Sequence, residues 1–161
     1  MKKNILAYQL FNWGPILCRI KLNAADLKKY AELCSKKTEH INENLAGVIK
    51  HEHAVDLQKY GTIINPYIKI FYEAFQQWYN IPPPGKLVIM RAWANFMVAG
   101  EFNPPHMHPN CDFSSVLFVK IPEEGDFYIF PASLIHFVSP FTSGGERISI
   151  SANFTFDFKR K

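Results

Sequence analysis

The hydrophobic pattern changes along the chain from helical spacing in the N-terminal half to alternating spacing in the C-terminal half. The first predicted helix runs from a cap at Asn23 to about Lys36, and its buried face holds four residues: Leu27, Tyr30, Ala31 and Cys34. The second runs from Tyr60 to Tyr79, with an apolar stripe of six residues: Ile64, Tyr67, Ile68, Phe71, Phe75 and Trp78. Such stripes usually pack against a sheet, so both helices are interpreted as core.

Two segments flank these helices and differ in how clearly they are patterned. Residues 5–11 and 15–22 are apolar and separated by a turn-like cluster, so they predict a hairpin at a sheet edge. Residues 38–60 are charged and show no strand periodicity. The run IPPPGK, residues 81–86, ends the second helix and marks the start of the β part.

The C-terminal half predicts several short strands punctuated by glycine and proline. Residues 86–100, SSVLFVKI, GDFYIF, a short run at His136 and RISISANFTFDF are the candidate strands. In the last of them one face is polar and the other apolar, and the polar residues are Arg147, Ser149, Ser151 and Asn153. This organisation favours an antiparallel sandwich or small barrel over a parallel α/β sheet.

Three histidines in this half form a candidate metal site. His106 and His108 are separated by one residue, so in an extended segment both side chains lie on one face, about 6.5 Å apart along the backbone. His136 follows between two apolar runs, where a returning strand could bring it to the same point. A histidine site with open positions suits non-haem Fe(II). Arg147, on a later strand face, suits a carboxylate guest.

Other residues compete for roles in such a site. Asp112 could supply a carboxylate ligand, although its place in NCDF favours a turn, and Cys111 is a possible soft ligand. A second HxH motif, His51 and His53, is interpreted as solvated or packing histidines because no framework of glycine and proline surrounds it. Arg91 is interpreted as a surface or salt-bridging residue.

Composition limits the classes of protein that need to be considered. The 161 residues predict one domain, 1–161, with 1–85 as hairpin and supporting helices and 86–158 as the β core. The charge of +4 comes from scattered lysines, with clustering only in the FKRK tail, which argues against nucleic-acid binding. Three cysteines without CxxC spacing fit a reducing compartment, and no membrane span or clear leader is recognised, so a cytoplasmic protein is expected.

The order HxH, then His, then RxS resembles the Fe(II)- and 2-oxoglutarate-dependent oxygenases. It is most similar to a small oxygenase family of tailed phages and bacteria, for which the cytoplasm would be that of the host. The motifs that carry the resemblance cover about sixty residues: W-x-N at 93–95, PPHMHPN at 104–110, SSV at 114–116, GDFYIFP at 125–131, HFVSP at 136–140 and GGERISISANF at 144–154.

The resemblance implies a double-stranded β-helix, or jelly-roll, core preceded by N-terminal helices. It implies Fe(II) held by His106, His136 and His108, with His108 standing where most of the superfamily has a carboxylate. It implies 2-oxoglutarate bound by Arg147 and Ser149, and a hydroxylation coupled to its conversion to succinate and carbon dioxide. Asn95, Asp112 and Asn153 are further candidates, and no catalytic residue is expected beyond the metal centre.

Besides His108, two further features depart from the pattern of the superfamily. Many relatives have a strand tyrosine that contacts the cosubstrate, whereas Leu117 and Phe118 stand near that place here. The connection at 121–125 is short, where relatives usually insert a further loop and a strand pair, so either the barrel is trimmed or a segment is missing.

Two alternative functions follow from the same residues. One is a cupin-type dioxygenase that uses three histidines without 2-oxoglutarate, in which Arg147 would bind the substrate's carboxylate. The other is a non-catalytic β-sandwich binding protein with structural histidines. Neither the primary substrate nor the oligomeric state is indicated by a motif.

Overall fold

The computed structural model describes residues 8–10, 14–41, 47–121 and 124–157. Its elements in chain order are β1 (Tyr8–Leu10), β2 (Cys18–Lys21), α1 (Ala24–Leu33), β3 (His51–Ala54), α2 (Leu57–Tyr79), β4 (Lys86–Val98), β5 (Asn103–His106), β6 (Phe113–Lys120), β7 (Asp126–Pro131), β8 (His136–Val138) and β9 (Glu146–Asp157). The strands predicted after residue 85 are all present.

The strands form a large and a small antiparallel sheet. Seven strands are ordered β1-β2-β7-β6-β9-β4-β3, and β5 pairs with β8 separately. Side chains from both sheets line one cavity, so the small sheet lies over one face of the large sheet. The predicted mainly β architecture with N-terminal helices is confirmed.

The short connection between β6 and β7 is a hairpin. The backbone N–H of Gly125 donates to the carbonyl of Phe118 at 2.7 Å, and Gly125 has a φ of +81°, which glycine adopts without a Cβ clash. Within residues 113–121 and 124–131 there is no further strand pair. The small sheet therefore consists of β5 and β8 alone among the described strands.

The two faces of β9 have the opposite environments that its alternation predicts. Ile150, Ala152 and Phe154 are fully buried in the hydrophobic core. Arg147, Ser149 and Ser151 line the cavity on the other side. Since β4 pairs with β9 over nearly its whole length, the same division continues across β4.

Helix α2 covers the core face of the large sheet. It begins at Leu57, three residues before the predicted start, because the Asp56 side chain caps it by accepting from the backbone N–H of Lys59. The predicted stripe is buried except for Trp78, which is half-buried against the core. Aromatic contacts with Phe71 and Phe75 join this helix to Phe113 of β6.

Helix α1 agrees with the prediction at its start and differs at its end. The Asn23 side chain accepts from the backbone N–H of Asp26, which confirms the predicted cap. The helix ends at Leu33 rather than Lys36 because Cys34 has an extended backbone. The prediction that Ala31 is buried is wrong: the helix packs through Tyr30 and Leu33, and Ala31 faces solvent.

The predicted N-terminal hairpin is present at one edge of the large sheet. Strand β1 pairs antiparallel with β2, and β2 pairs with β7. The described strands are shorter than the predicted runs. The rest of the first run, half of the predicted turn and the FKRK tail lie outside the described residues. None of the described helices is long and apolar enough to cross a membrane.

Strand β3 corrects the interpretation of residues 38–60 as a segment without strand character. Residues 51–54 pair antiparallel with β4, from His51 opposite Phe96 to Ala54 opposite Trp93. Four residues are too few to establish a periodic pattern, so pairing with β4 and not local sequence defines this strand.

Candidate metal centre and cavity

The small sheet brings the predicted histidines together. His106 at the end of β5 lies directly opposite His136 at the start of β8, and their ring centroids are 4.2 Å apart. His108 follows β5 in a loop, and its own backbone N–H donates to the carbonyl of Ala132 at 3.0 Å. The ring of His108 is centred 5.1 Å from each of the other two rings.

Backbone carbonyls orient two of these imidazoles. The Nδ1 of His106 lies 2.7 Å from the carbonyl of Pro104, and the Nδ1 of His136 lies 2.8 Å from that of Leu134. A carbonyl oxygen only accepts, so each Nδ1 carries the proton and each Nε2 keeps a free lone pair. This is the tautomer that binds a metal through Nε2.

The three ring nitrogens converge on one point. The Nε2 atoms of His108 and His136 are 3.3 Å apart, and one nitrogen from each histidine lies within 4.8 Å of the others. Burial, helped by the neighbouring imidazoles, lowers the pKa of His108 to about 4, and burial also lowers the pKa of His136. Neutral imidazoles at neutral pH are the form that a metal requires, so this donor set fits Fe(II).

The triad stands at a cavity of about 520 Å³ between the two sheets. Polar residues of β4 and β9 form part of its wall: Asn95, Arg147, Ser149 and Ser151. Asn95 lies opposite Ser149 in the sheet, and its Nδ2 donates to Ser151 Oγ at 3.0 Å. The remaining wall is largely apolar, which would shield a bound anion from water.

Arg147 has the environment expected of an anion-binding residue. Its Nη2 donates to Met97 Sδ at 2.8 Å, a weak acceptor, and its guanidinium lies over the ring of Phe141. Among the described residues it forms no ion pair with a carboxylate. Burial lowers its pKa, although an arginine stays charged in proteins. The cavity therefore contains a positive charge that a carboxylate guest would balance.

Three of the weaker candidates lie elsewhere. The Asp112 carboxylate accepts from Thr155 Oγ1 and from the backbone N–H of Phe156, which ties the start of β6 to β9. Asn153 accepts from Ser114 Oγ and does not line the cavity. Cys111 contacts the carbonyl of His108, and burial raises the pKa of its thiol. Of the possible additional residues, only Asn95 reaches the cavity.

Two titratable residues that line the cavity were missed by sequence analysis. Tyr128 on β7 lines the cavity beside Phe118, and its hydroxyl lies 3.4 Å from Asp126 Oδ2. Alternation in GDFYIF, with Phe127 and Ile129 in the core, was a signal for it. Glu52 on β3 also lines the cavity, and burial raises its pKa to about 7. No local pattern indicated Glu52, because β3 itself was not recognised.

Comparisons with known proteins point to the same group of oxygenases that the sequence motifs resemble. A family model described as "Putative 2OG-Fe(II) oxygenase" matches residues 120–153, which include His136, Arg147 and Ser149. The predicted resemblance to the 2-oxoglutarate/Fe(II) oxygenases is confirmed. The description of the matched family names Fe(II) and 2-oxoglutarate, so the match supports these two as the cofactors. Sequence comparison with curated proteins gives no match.

Solved structures show the same fold at low sequence identity. A viral collagen prolyl hydroxylase from Paramecium Bursaria Chlorella virus-1, in complex with 2-oxoglutarate, has a TM-score of 0.60 at 12% identity and covers 86% of this chain and 94% of its own. A Pseudomonas putida prolyl-4-hydroxylase has a TM-score of 0.61 at 14% identity and covers 88% and 92%. The predicted jelly-roll core is thereby confirmed.

Proposed function

We propose that this oxygenase holds Fe(II) with His106, His108 and His136 and binds 2-oxoglutarate against Arg147 and Ser149. The convergence of three imidazoles at the edge of a cavity, together with an arginine that pairs with no carboxylate among the described residues, carries the proposal. His108 takes the place that a carboxylate has in most of the superfamily. Three imidazoles leave the site with the full charge of the ion, which favours an anionic cosubstrate.

The bound iron would supply the oxidative chemistry, in which 2-oxoglutarate is converted to succinate and carbon dioxide while the substrate is hydroxylated. Pro104 and Leu134 fix two of the imidazoles through their carbonyls, so the ligands need little rearrangement. The protein's own task is therefore orientation of the cosubstrate and exclusion of water.

Arg147 would bind the distal carboxylate of 2-oxoglutarate by a charge-assisted hydrogen bond, and Ser149 would donate from its hydroxyl. The two side chains are neighbours on one face of β9, and Ser149 is almost fully buried. Tyr128 also lines this cavity, and its phenol would replace the strand tyrosine of relatives, near whose place Phe118 stands here. These groups would select a dicarboxylic keto acid over a monocarboxylic one.

The cavity's open side would admit the primary substrate. Ile135, just before β8, and Phe137, on β8, line the cavity and are about two-thirds exposed, at 65% and 64%. The similar structures include prolyl hydroxylases, so a peptidyl proline is the first substrate to test. We also place the enzyme in the cytoplasm, which the three unpaired cysteines support.

Measuring dioxygen uptake and succinate formation with and without 2-oxoglutarate tests the proposed function. The oxygenase should consume dioxygen only with Fe(II) and 2-oxoglutarate together, with one succinate formed per dioxygen. Dioxygen uptake without 2-oxoglutarate would favour the cupin-type dioxygenase instead. Absence of both turnover and stoichiometric iron in anaerobically reconstituted protein would favour a binding protein.

A further inference from the structure

The six histidines of this chain divide into two groups of three. One is the cavity triad, and the other consists of His40, His51 and His53, which we call the edge triad. One ring nitrogen from each edge histidine lies within 4.8 Å of the others. The cavity chemistry uses none of these three side chains.

Backbone pairing assembles the edge triad at the free side of β3. Ile41 N–H donates to the carbonyl of Glu52, and Ala54 N–H donates to that of Glu39, so His40 forms an antiparallel bridge with His53. His51 precedes His53 by two residues and therefore points to the same face of the sheet. All three imidazoles thus share one face of a two-strand ladder.

Hydrogen bonds prepare two of the rings for a ligand. The Nε2 of His40 lies 2.7 Å from the carbonyl of Lys50, and the Nδ1 of His53 lies 3.0 Å from that of Thr38. Carbonyls only accept, so these nitrogens carry protons, and in the neutral form of each ring the lone pair lies on the other nitrogen. The Nε2 of His53 is buried and has no hydrogen-bond partner among the described residues. A buried acceptor without a partner is unusual and calls for a ligand or ion.

The edge triad cannot share an ion with the cavity triad. His53 lies opposite Ala94 and His51 opposite Phe96, and both partners belong to the core on the helix side of the sheet. Glu52, between the two histidines, lies on the cavity side. The large sheet therefore separates the two groups of histidines.

We propose that His40, His51 and His53 bind one Zn(II)-like transition-metal ion, separate from the catalytic iron, that fastens residues 38–41 to β3. Imidazole nitrogen suits such ions, which need metal–nitrogen distances of about 2.0–2.1 Å in a tetrahedral site. His40 and His51 are exposed, so their rings can move toward the buried His53 when an ion binds. Water would complete the coordination. The ion would also stabilise the strand that carries Glu52 into the cavity.

Zinc and cobalt titration of untagged, metal-free protein tests this site independently of oxygenase activity. The probes are Zn(II), followed by calorimetry, and Co(II), followed by visible absorption. Wild-type protein should bind two equivalents, and His106→Ala/His136→Ala should retain one. His40→Ala/His51→Ala should also retain one, and the variant with all four changes should bind none. His53 is left intact because it is buried.

Lys37→Ala, an exposed change in the same segment, is the matched control and should bind as wild type does. Zinc should also raise the unfolding temperature of His106→Ala/His136→Ala, and this shift should vanish when His40 and His51 are replaced as well. The proposal is overturned if His106→Ala/His136→Ala binds no zinc, or if its remaining equivalent survives the loss of His40 and His51.

Discussion

The two faces of the β4 and β9 pair are built from the same two strands and serve different purposes. The face toward α2 holds Ala92, Ala94, Ile150 and Ala152, all 3% exposed or less, so its centre is apolar. The face toward the small sheet holds Asn95, Arg147, Ser149 and Ser151, which line a cavity. Changes on the first face should affect stability, and changes on the second should affect ligand binding and chemistry.

The largest expected effect is loss of the cavity metal in His136→Ala. Removing one of three ligands should abolish 2-oxoglutarate turnover and weaken Fe(II) or Mn(II) binding at least tenfold, because the remaining imidazoles cannot hold the ion in place. Anaerobic calorimetry measures the affinity. Urea unfolding of the metal-free protein should change by less than about 1 kcal/mol, since His136 is only half-buried. Unchanged metal affinity in both His136→Ala and His106→Ala would refute the site.

Replacement of Phe71 should show the opposite behaviour. Phe71 is fully buried and contacts Phe75 and Phe113, so Phe71→Ala should lower the free energy of unfolding by about 3–5 kcal/mol. Gln76→Ala, on the exposed side of the same helix, is the control. Folded Phe71→Ala should bind 2-oxoglutarate as wild type does. A selective loss of 2-oxoglutarate affinity in folded protein would show that the two faces are not independent.

Substitutions of His108 test whether the third ligand position accepts a carboxylate in place of an imidazole. His108→Asp should keep metal binding and part of the 2-oxoglutarate decarboxylation, because hard Fe(II) accepts carboxylate oxygen. His108→Ala should lose much of both. If His108→Ala binds iron like wild type, His108 is not a ligand, and adding Asp112→Ala would show whether that carboxylate replaces it. Asp112 is expected to have no such role, because it is bonded to Thr155 and Phe156.

Arg147→Leu should weaken 2-oxoglutarate binding about tenfold or more while leaving metal affinity nearly unchanged. The lost charge-assisted bond contributes roughly 1.5–3 kcal/mol. Arg91→Leu is the matched control, since Arg91 is exposed above Trp93 and does not line the cavity. Anaerobic titration of the metal-loaded variants with 2-oxoglutarate gives both affinities. Equal losses of 2-oxoglutarate affinity in the two variants would show that Arg147 does not bind the cosubstrate.

The smallest predicted effect lies on the helix side and depends on pH. A hydrogen bond from Lys29, with further ones from Tyr67 and Asn23, lowers the pKa of Asp26 below its ordinary value of 3.8. The ionised carboxylate therefore stabilises the fold above about pH 4, and this contribution is lost as the pH falls through the lowered pKa. Asp26→Asn should be less stable than wild type by under about 1 kcal/mol at pH 7.

The stability difference between Asp26→Asn and wild type should shrink toward zero in acid, as measured by urea unfolding from pH 7 down to pH 3. Turnover of 2-oxoglutarate at pH 7 should be the same in both proteins. A difference that grows on acidification would contradict the assigned sign of the pKa shift.

Much of the fold and part of the candidate site could be predicted from local sequence. The alternation of Arg147 to Phe154 determined which side chains face the core and which face a cavity, because successive strand residues point to opposite faces. The six-residue stripe of α2 determined its buried side in the same way. The HMH motif, the distal His136 and the RIS motif were also sufficient to name the candidate ligands and the arginine.

Tertiary structure alone decided which distant segments meet. Strand β3 forms because it pairs with β4, which brings Glu52 to the cavity, and the separate bridge between His40 and His53 brings the edge triad together. Likewise, Asp112 and Asn153 are polar residues near the motifs, yet their bonds to Phe156 and Ser114 direct them elsewhere. Short strands carry too few residues for a periodic signal, and their register depends on hydrogen bonds to residues far along the chain, which local sequence does not specify.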